Sequence, residues 1–230
     1  MIFSENGLVA QLAASDQALL RRRCTMVELT VGDLLQGAEA DRKVAYFLTG
    51  ATVALCVRQG ESGAGDASLA LGLAGFEGAV GVQYGVGIDA GIFSSWVQTA
   101  GPAWCIDGLE LQQLVARRPP MLLLFSRYVW TVLQDVAALA ACAQLHDIKS
   151  RLASWILMSE LRSRGGELML THTHLAQMLG VRRAGVTTAA LELKRQGLID
   201  YQRGSLRIVD RGGLEAVSCW LPDRKRVDST

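Results

Sequence analysis

The sequence predicts an α+β chain with a β-roll or sandwich in its N-terminal half, one long helix, and a winged helix-turn-helix at its C-terminal end. Three observations predict it. From about Cys24 to Asp107 short apolar runs alternate with glycine, the pattern of short strands joined by tight turns. Leu122, Phe125, Val129, Val132, Val136, Leu139 and Ala143 recur in alternating steps of three and four, the seam of a long packed helix. Residues 171–199, THTHLAQMLGVRRAGVTTAALELKRQGLI, carry two short helical patterns separated by Gly180 and closed by Gly197.

The 230 residues suffice for one large or two small domains, and half of them are hydrophobic, the composition of a globular chain. A net charge of +1 hides an asymmetry. Residues 149–230 hold 14 Lys and Arg against 8 Asp and Glu, a balance of +6, and residues 1–148 hold 9 against 14, a balance of −5. A basic C-terminal part on an acidic N-terminal part points to phosphate contact through the former. The first residues lack a basic region ahead of an apolar core, so no signal peptide is read and the cytoplasm is the expected location. Arg127 and Asp135 interrupt the apolar stretch from Met121 to Leu145, so no membrane span is expected. Five scattered cysteines (Cys24, Cys56, Cys105, Cys142, Cys219) with no CxxC pair predict reduced thiols, and no metal cluster is read from their spacing.

Taken in order, residues 8–23 read as one amphipathic helix ending in Arg21, Arg22 and Arg23, a basic end favoured by the helix dipole. Strands follow at Ala45–Leu48, Val53–Val57, Ser68–Leu71, Val80–Val82 and Trp96–Gln98. Residues 109–117 read as a short helix, broken at Pro119 and Pro120, which open the long one. Besides its seam, that helix carries a second apolar face of Leu123, Trp130, Leu133 and Ala137. One face can cover the chain's own strands while the other meets a second copy. A further helix spans 147–164 and ends at Gly165 and Gly166. The expected divisions are therefore a strand-rich part over 1–118, a long helix over 119–146 and a C-terminal part over 147–230.

In the C-terminal part, Leu168–Leu170 reads as a small strand and Thr171 as an N-cap, with Leu175, Ala176 and Leu179 at helical spacing behind it. Val186, Ala190 and Leu193 form the buried stripe of the next helix, leaving Arg183, Ala184, Thr187, Thr188, Leu191 and Arg195 on its other side. Leu198–Tyr201, the turn at Arg203–Gly204 and the run Leu206, Ile208 and Val209 make a wing. Two helices crossing at a glycine turn, with arginines opening the second, suit a helix laid in a DNA major groove. A helical hairpin and β-hairpin with no nucleic-acid role is the competing reading.

The run LAQMLGVRRAGVTTAALELKRQGLI, the hairpin after it and the Asp210–Arg211 step resemble the winged-helix domain of the cyclic-AMP receptor/fumarate-nitrate regulator (Crp/Fnr) superfamily of bacterial transcription factors. The order of parts along the chain agrees with that family, which implies a cyclic-nucleotide-binding-like β-roll, a dimerisation helix and a winged helix. The resemblance implies a homodimer bound to pseudo-palindromic double-stranded DNA, with RNA polymerase as a further partner. By position, Thr171, Thr173, Arg182, Arg183, Thr187, Thr188 and Arg203 become the DNA-contacting residues, and the seam from Leu122 to Ala143 becomes the dimer interface. Arg183 matches the family's usual arginine. Ala184 stands where many members have glutamate and Thr188 where they have arginine, so a different half-site is expected. Gly185 is read as letting the backbone approach the groove, and His172 and His174 as exposed.

The cyclic-nucleotide members of that family carry a Gly-Glu pair for ribose and an arginine for phosphate. Here Glu77-Gly78 has the acid in reversed order, and no Arg or Lys stands between Arg58 and Arg117. A buried phosphate would lack a countercharge, so cyclic-nucleotide dependence is not expected and Glu77 is read as satisfying turn amides. The clustered N-terminal cysteines of the iron–sulfur members are missing, and the three histidines lie outside the predicted roll, so no cofactor is expected and the effector is left open. No Ser/His/Asp order or GxxxxGK[ST] loop points to an enzyme. The alternatives to a DNA-binding regulator are a winged helix that docks on protein, as an anti-activator would, and a cyclic-nucleotide-responsive regulator.

Overall fold

The computed structural model describes residues 3–37, 43–58, 68–88, 93–163, 168–202 and 204–219. Helix α1 (Ala14–Arg21) is followed by strands β1 (Thr25–Leu29), β2 (Leu34–Gln36), β3 (Val44–Leu48), β4 (Thr52–Arg58), β5 (Ser68–Ala74), β6 (Ala79–Val80), β7 (Phe93–Thr99) and β8 (Gly101–Asp107). Helices α2 (Gly108–Ala116), α3 (Pro119–Leu145) and α4 (Ile148–Arg162) come next. Strand β9 (Leu168–Met169), helices α5 (His172–Leu179) and α6 (Arg183–Arg195), strands β10 (Ile199–Gln202) and β11 (Ser205–Ile208) and helix α7 (Arg211–Val217) complete the order.

The strands before α2 form two 4-stranded antiparallel sheets, in orders β1-β8-β3-β6 and β2-β7-β4-β5. Their facing sides bury Leu29, Leu35, Leu48, Val53, Ala74, Val80, Val97 and Ala103. The outer side of the first sheet is covered by the N-terminal segment, α2 and the start of α3, with Phe3, Leu8, Leu20, Phe47, Trp104, Ile106, Leu111, Met121 and Phe125 in one cluster. The second sheet is covered on its outer side as well: Ala54, Cys56, Ala70 and Leu73 share a core with α4, α5 and α6. That is why 53–57 is a continuous apolar run and not an alternating one.

Helix α4 lies between the second sheet and the C-terminal elements. Leu152 to Ser159 are buried without a break, as expected of a helix enclosed on all sides. Asp147 caps it, accepting from the Ser150 amide at 2.8 Å, and that hydrogen bond holds its carboxyl below the ordinary aspartate range. His146 and Asp147 are both extended, so α3 and α4 meet at a two-residue joint.

Three sequence expectations about the fold are corrected. The helix expected over 8–23 is interrupted: a 3-10 turn at Val9–Gln11 precedes α1, with Leu12 extended between them. The buried Asn6 side chain accepts from the amides of Leu8 and Val9 and donates to the carbonyls of Leu48 (2.6 Å) and Gly78 (2.7 Å), which fixes the segment on the sheet. Asp210 caps α7 through the Gly213 amide at 3.0 Å. The seam of α3 is divided. Phe125, 4% exposed, faces the chain's own core and Leu139 packs against the shared one, whereas Leu122, Val129 and Ala143 are exposed. Tyr128 is also on the inner side, where burial raises its phenol well above the usual range. Finally, the scattered cysteines are not all separate: Cys142 and Cys219 are joined as a disulfide, their Cα atoms 6.0 Å apart.

Helix α3 is long and apolar enough to cross a membrane by length and composition alone, with 6% of its most apolar stretch buried. Its Trp130 (60% exposed) and Leu133 (52%) lie on the open face. Asn6→Ala removes donors from two buried carbonyls. It should lower the free energy of unfolding by about 1–3 kcal/mol, seen as a reduced urea midpoint at unchanged slope.

Candidate nucleic-acid interface

Helix α5 starts at Thr171, whose hydroxyl oxygen accepts from the His174 amide at 3.1 Å, and stops at Gly180, left-handed with φ +63°. Helix α6 then begins without a side-chain cap, Arg182 being its flanking residue. Val186, Ala189, Ala190 and Leu193 are buried beneath it, so its opening turn is turned outward and Arg182, Arg183 and Ala184 are exposed. Strands β10 and β11 pair antiparallel from Ile199↔Ile208 to Gln202↔Ser205, and β9 joins them through Leu206↔Leu168. The wing residue Arg203 lies outside the described residues.

The charges around α6 fall into two groups. Lys194 is held by Asp200 at 2.9 Å, Lys149 by Glu192 at 2.6 Å, and Arg211 by Glu160 at 2.6 Å and Glu215 at 2.9 Å. Arg182 and Arg183 make no ion pair among the described residues, and both stand at the exposed start of the helix. Unpaired guanidiniums there add to the positive end of the helix dipole and suit phosphate or a guanine edge.

The threonines differ from one another. Thr173 is exposed on α5 and Thr188 is exposed on α6, where its hydroxyl donates back to the Ala184 carbonyl at 3.1 Å and leaves its methyl outward. Thr187 is half-buried and engaged internally: its hydroxyl donates to the Arg183 carbonyl at 3.0 Å and lies 3.0 Å from Nδ1 of His172. His172, expected to be exposed, is half-buried and stacked on Tyr201 with ring centroids 4.5 Å apart. Burial, then the nearby Arg183 charge, lowers its pKa below the usual histidine range. Tyr201 in turn donates to the Leu170 carbonyl at 2.9 Å. His172, Thr187 and Tyr201 therefore brace α5, α6 and the wing against one another. Gly185, expected to bring backbone to the groove, has another role: a Cβ there would stand 2.9 Å from Cδ1 of Ile148, so it lets α4 pack on α6.

Arg162, Glu77 and Asp135 tie α4 to the roll and to α3, an arrangement that residue spacing does not reveal. Arg162, at the end of α4 and 8% exposed on its side chain, is 3.1 Å from Glu77 and 2.5 Å from Asp135 of α3. Glu77 also accepts from the Gly75 amide at 3.1 Å, the turn role expected of it. The turn is closed over tightly. A Cβ on Gly75 would meet the Arg162 carbonyl, and one on Gly78 would meet the Tyr128 ring, whose hydroxyl donates to Ala79 at 2.9 Å. Nearby, Gln98 of β7 donates to Ser159 at 3.1 Å and accepts from the Trp155 indole at 3.0 Å, all buried. The sequence signal for this node is Asp135, an acid within an apolar helix.

Residues 150–217 match the family described as the Crp-like helix-turn-helix domain. A structure from Eubacterium rectale, assigned to the Crp/Fnr family of transcriptional regulators, superposes with a TM-score of 0.68 at 17% identity, covering 93% of this chain and 98% of the other. The c-di-GMP responsive global regulator CLP of Xanthomonas campestris superposes with 0.67 at 16% identity, covering 85% and 99%. A Crp/Fnr-family transcriptional regulator of Thermus thermophilus gives 0.62 at 21% identity, covering 84% and 98%. Among curated proteins there is no sequence match. The chain thus has the Crp/Fnr fold over most of its length and carries a Crp-like helix-turn-helix domain.

Arg162→Ala would leave two carboxylates facing each other without their cation. It should cost about 3–5 kcal/mol of unfolding free energy. Arg211→Ala, which breaks exposed pairs, should cost about 0–1 kcal/mol in the same urea titration.

Proposed function

We propose that this chain is a cytoplasmic, homodimeric, sequence-specific DNA-binding transcription regulator of the Crp/Fnr type, with residues 1–118 as sensor, 119–146 as dimerisation helix and 147–230 as reader. The observation that carries the reading is the pair of exposed arginines, Arg182 and Arg183, free of ion pairs among the described residues, at the start of α6 in a Crp-like helix-turn-helix. Arg183 reads a base edge and Arg182 a phosphate. Thr188 offers a methyl to thymine, and Thr171, Thr173 and Arg203 meet the backbone of the duplex. Thr187 supports the helix through His172 more than it touches DNA.

The partner copy is met by the outer face of α3. Leu123, Val129, Trp130 and Leu133 are exposed there on one helix, a face too apolar to remain in water. The inner face is bound to the chain's own core through Met121 and Phe125 and to Arg162 through Asp135, which favours a second copy over lipid as the outer contact. Two readers then enter successive major grooves of a pseudo-palindrome. The regulator acts independently of cyclic nucleotides: the Glu77 carboxylate is held by Arg162 and the Gly75 amide, and no Arg or Lys from 59 to 116 offers a phosphate partner.

Selection of bound duplexes from a random pool tests the reading, and should return a two-fold-related site. Replacing both Arg182 and Arg183 with alanine should weaken binding by about 10–100-fold and flatten its salt dependence, with sedimentation unchanged. A protein-docking module would instead bind no duplex in a salt-dependent way. Trp130→Glu combined with Leu133→Glu should shift the sedimenting species from dimer to monomer and reduce duplex affinity with it. A dimer that survived both changes would place the interface elsewhere.

A further inference from the structure

Cys142 and Cys219 are 77 residues apart in the chain, yet their Cα atoms are 6.0 Å apart, within the range of about 4.4–6.8 Å that a disulfide spans. Their place in the fold is specific. Cys142 sits in the last turn of α3, four residues before the extended joint at His146 and Asp147. Cys219 follows α7, the last helix of the reader, and is seated on α4: its amide donates to Ser154 Oγ at 2.9 Å, and its sulfur lies 3.1 Å from that same oxygen. The bond therefore bridges the joint between α3 and α4 from outside it. It fastens the end of the long helix to the far end of the reader.

Two of the remaining thiols are unsuited to such chemistry. Cys24 is buried, and burial pushes its thiol up to about 12, while Cys56 is fully enclosed in the shared core. Cys219 is half-buried and Cys142 is 5% exposed, so an attacking reagent reaches Cys219 first and Cys142 stands behind it as the resolving thiol.

We propose that Cys142 and Cys219 form a reversible dithiol–disulfide site, oxidised by low-molecular-weight disulfides, whose state sets the freedom of the α3–α4 joint. The chemistry is thiol–disulfide exchange. The Cys219 thiolate attacks one sulfur of RSSR, breaking its S–S bond and expelling RS⁻. The Cys142 thiolate then attacks the Cys219 sulfur of the mixed disulfide and expels the second RS⁻. Each protein thiol has given up one proton, and the two leaving thiolates take up two. The protein is oxidised by two electrons and RSSR is reduced to two RSH. In the oxidised form the reader is held in its present orientation on α3 by a covalent bond as well as by Arg162 and Gln98. In the reduced form the non-covalent contacts alone remain: those of Arg162 and Gln98 and the apolar core that the second sheet shares with α4, α5 and α6. The consequence for DNA rests on the function proposed above; the site itself does not.

The full chain, equilibrated in glutathione buffers from fully reducing to fully oxidising, is alkylated and mapped by non-reducing peptide mass spectrometry. The expected product is a Cys142–Cys219 peptide that appears with oxidation and disappears with reduction, without cross-links from Cys24, Cys56 or Cys105. Amide hydrogen exchange over 143–150 should slow as it forms. Cys142→Ser and Cys219→Ser should each abolish the peptide and the protection while keeping the wild-type circular dichroism. Oxidised and reduced forms should differ in affinity for a duplex by about fivefold or more, the scale of a modest allosteric coupling. Failure of the peptide to form in any buffer overturns the site, and formation without slower exchange or without an affinity difference overturns the switch. If neither form binds any duplex while the peptide and the protection appear, the DNA reading is what fails and the redox site stands.

Discussion

The contact on which the arrangement of the two halves depends is the guanidinium of Arg162 between Glu77 and Asp135. Each carboxylate belongs to a different element, one to the turn before β6 and one to the middle of α3, and the cation belongs to α4. Burying three charges is costly, and the cost is offset only if attraction and hydrogen bonding are well formed. Two are short contacts at a nearly enclosed arginine, and the turn that presents Glu77 is built so that α4 and Tyr128 lie directly against its glycines. Any movement of that turn has to be met by α4 or α3. The Gln98 cluster, with Ser159 and Trp155, joins β7 to α4 through neutral groups.

Helix α3 answers to two requirements at once. Its inner side completes the core of the roll through Met121 and Phe125 and continues along Tyr128 and Asp135 to Cys142. Its outer side exposes an apolar strip centred on Trp130 and Leu133. The high apolar content that gives it the composition of a membrane span is divided between these two sides.

Within the reader, the polar groups divide into those that hold the unit together and those left facing out. His172, Thr187, Tyr201 and the Thr171 cap are occupied with one another or with backbone. The acids near α6 are occupied by Lys149, Lys194 and Arg211. Arg182 and Arg183 stand apart from this bookkeeping, which makes the leading edge of α6 a positive, uncompensated surface. Burial and the nearby Arg183 charge both hold the His172 ring toward its neutral form, which fits the same picture.

The order of elements, the long helix, the glycine turn at Gly180 and the buried stripe of α6 were legible in residue spacing, because period and capping are local properties of the chain. The same locality explains what was misread. A 3-10 break at Leu12 depends on Asn6 reaching carbonyls more than 40 residues away. The direction in which Phe125 faces depends on the sheet beneath it, and the role of Gly185 depends on Ile148 of another helix. The partnership of Arg162 with Glu77 and Asp135 and that of Cys142 with Cys219 join residues 27 to 85 positions apart. What the amino-acid order determined by itself is therefore where most of the helices and several of the strands lie and which faces are apolar; the strands at Thr25–Leu29, Leu34–Gln36 and Gly101–Asp107 and the helix at Arg211–Val217 were not legible in it. Which apolar face turns inward, which charges are neutralised and which thiols meet were decided by the packed structure, because only folding brings such distant groups within reach of one another.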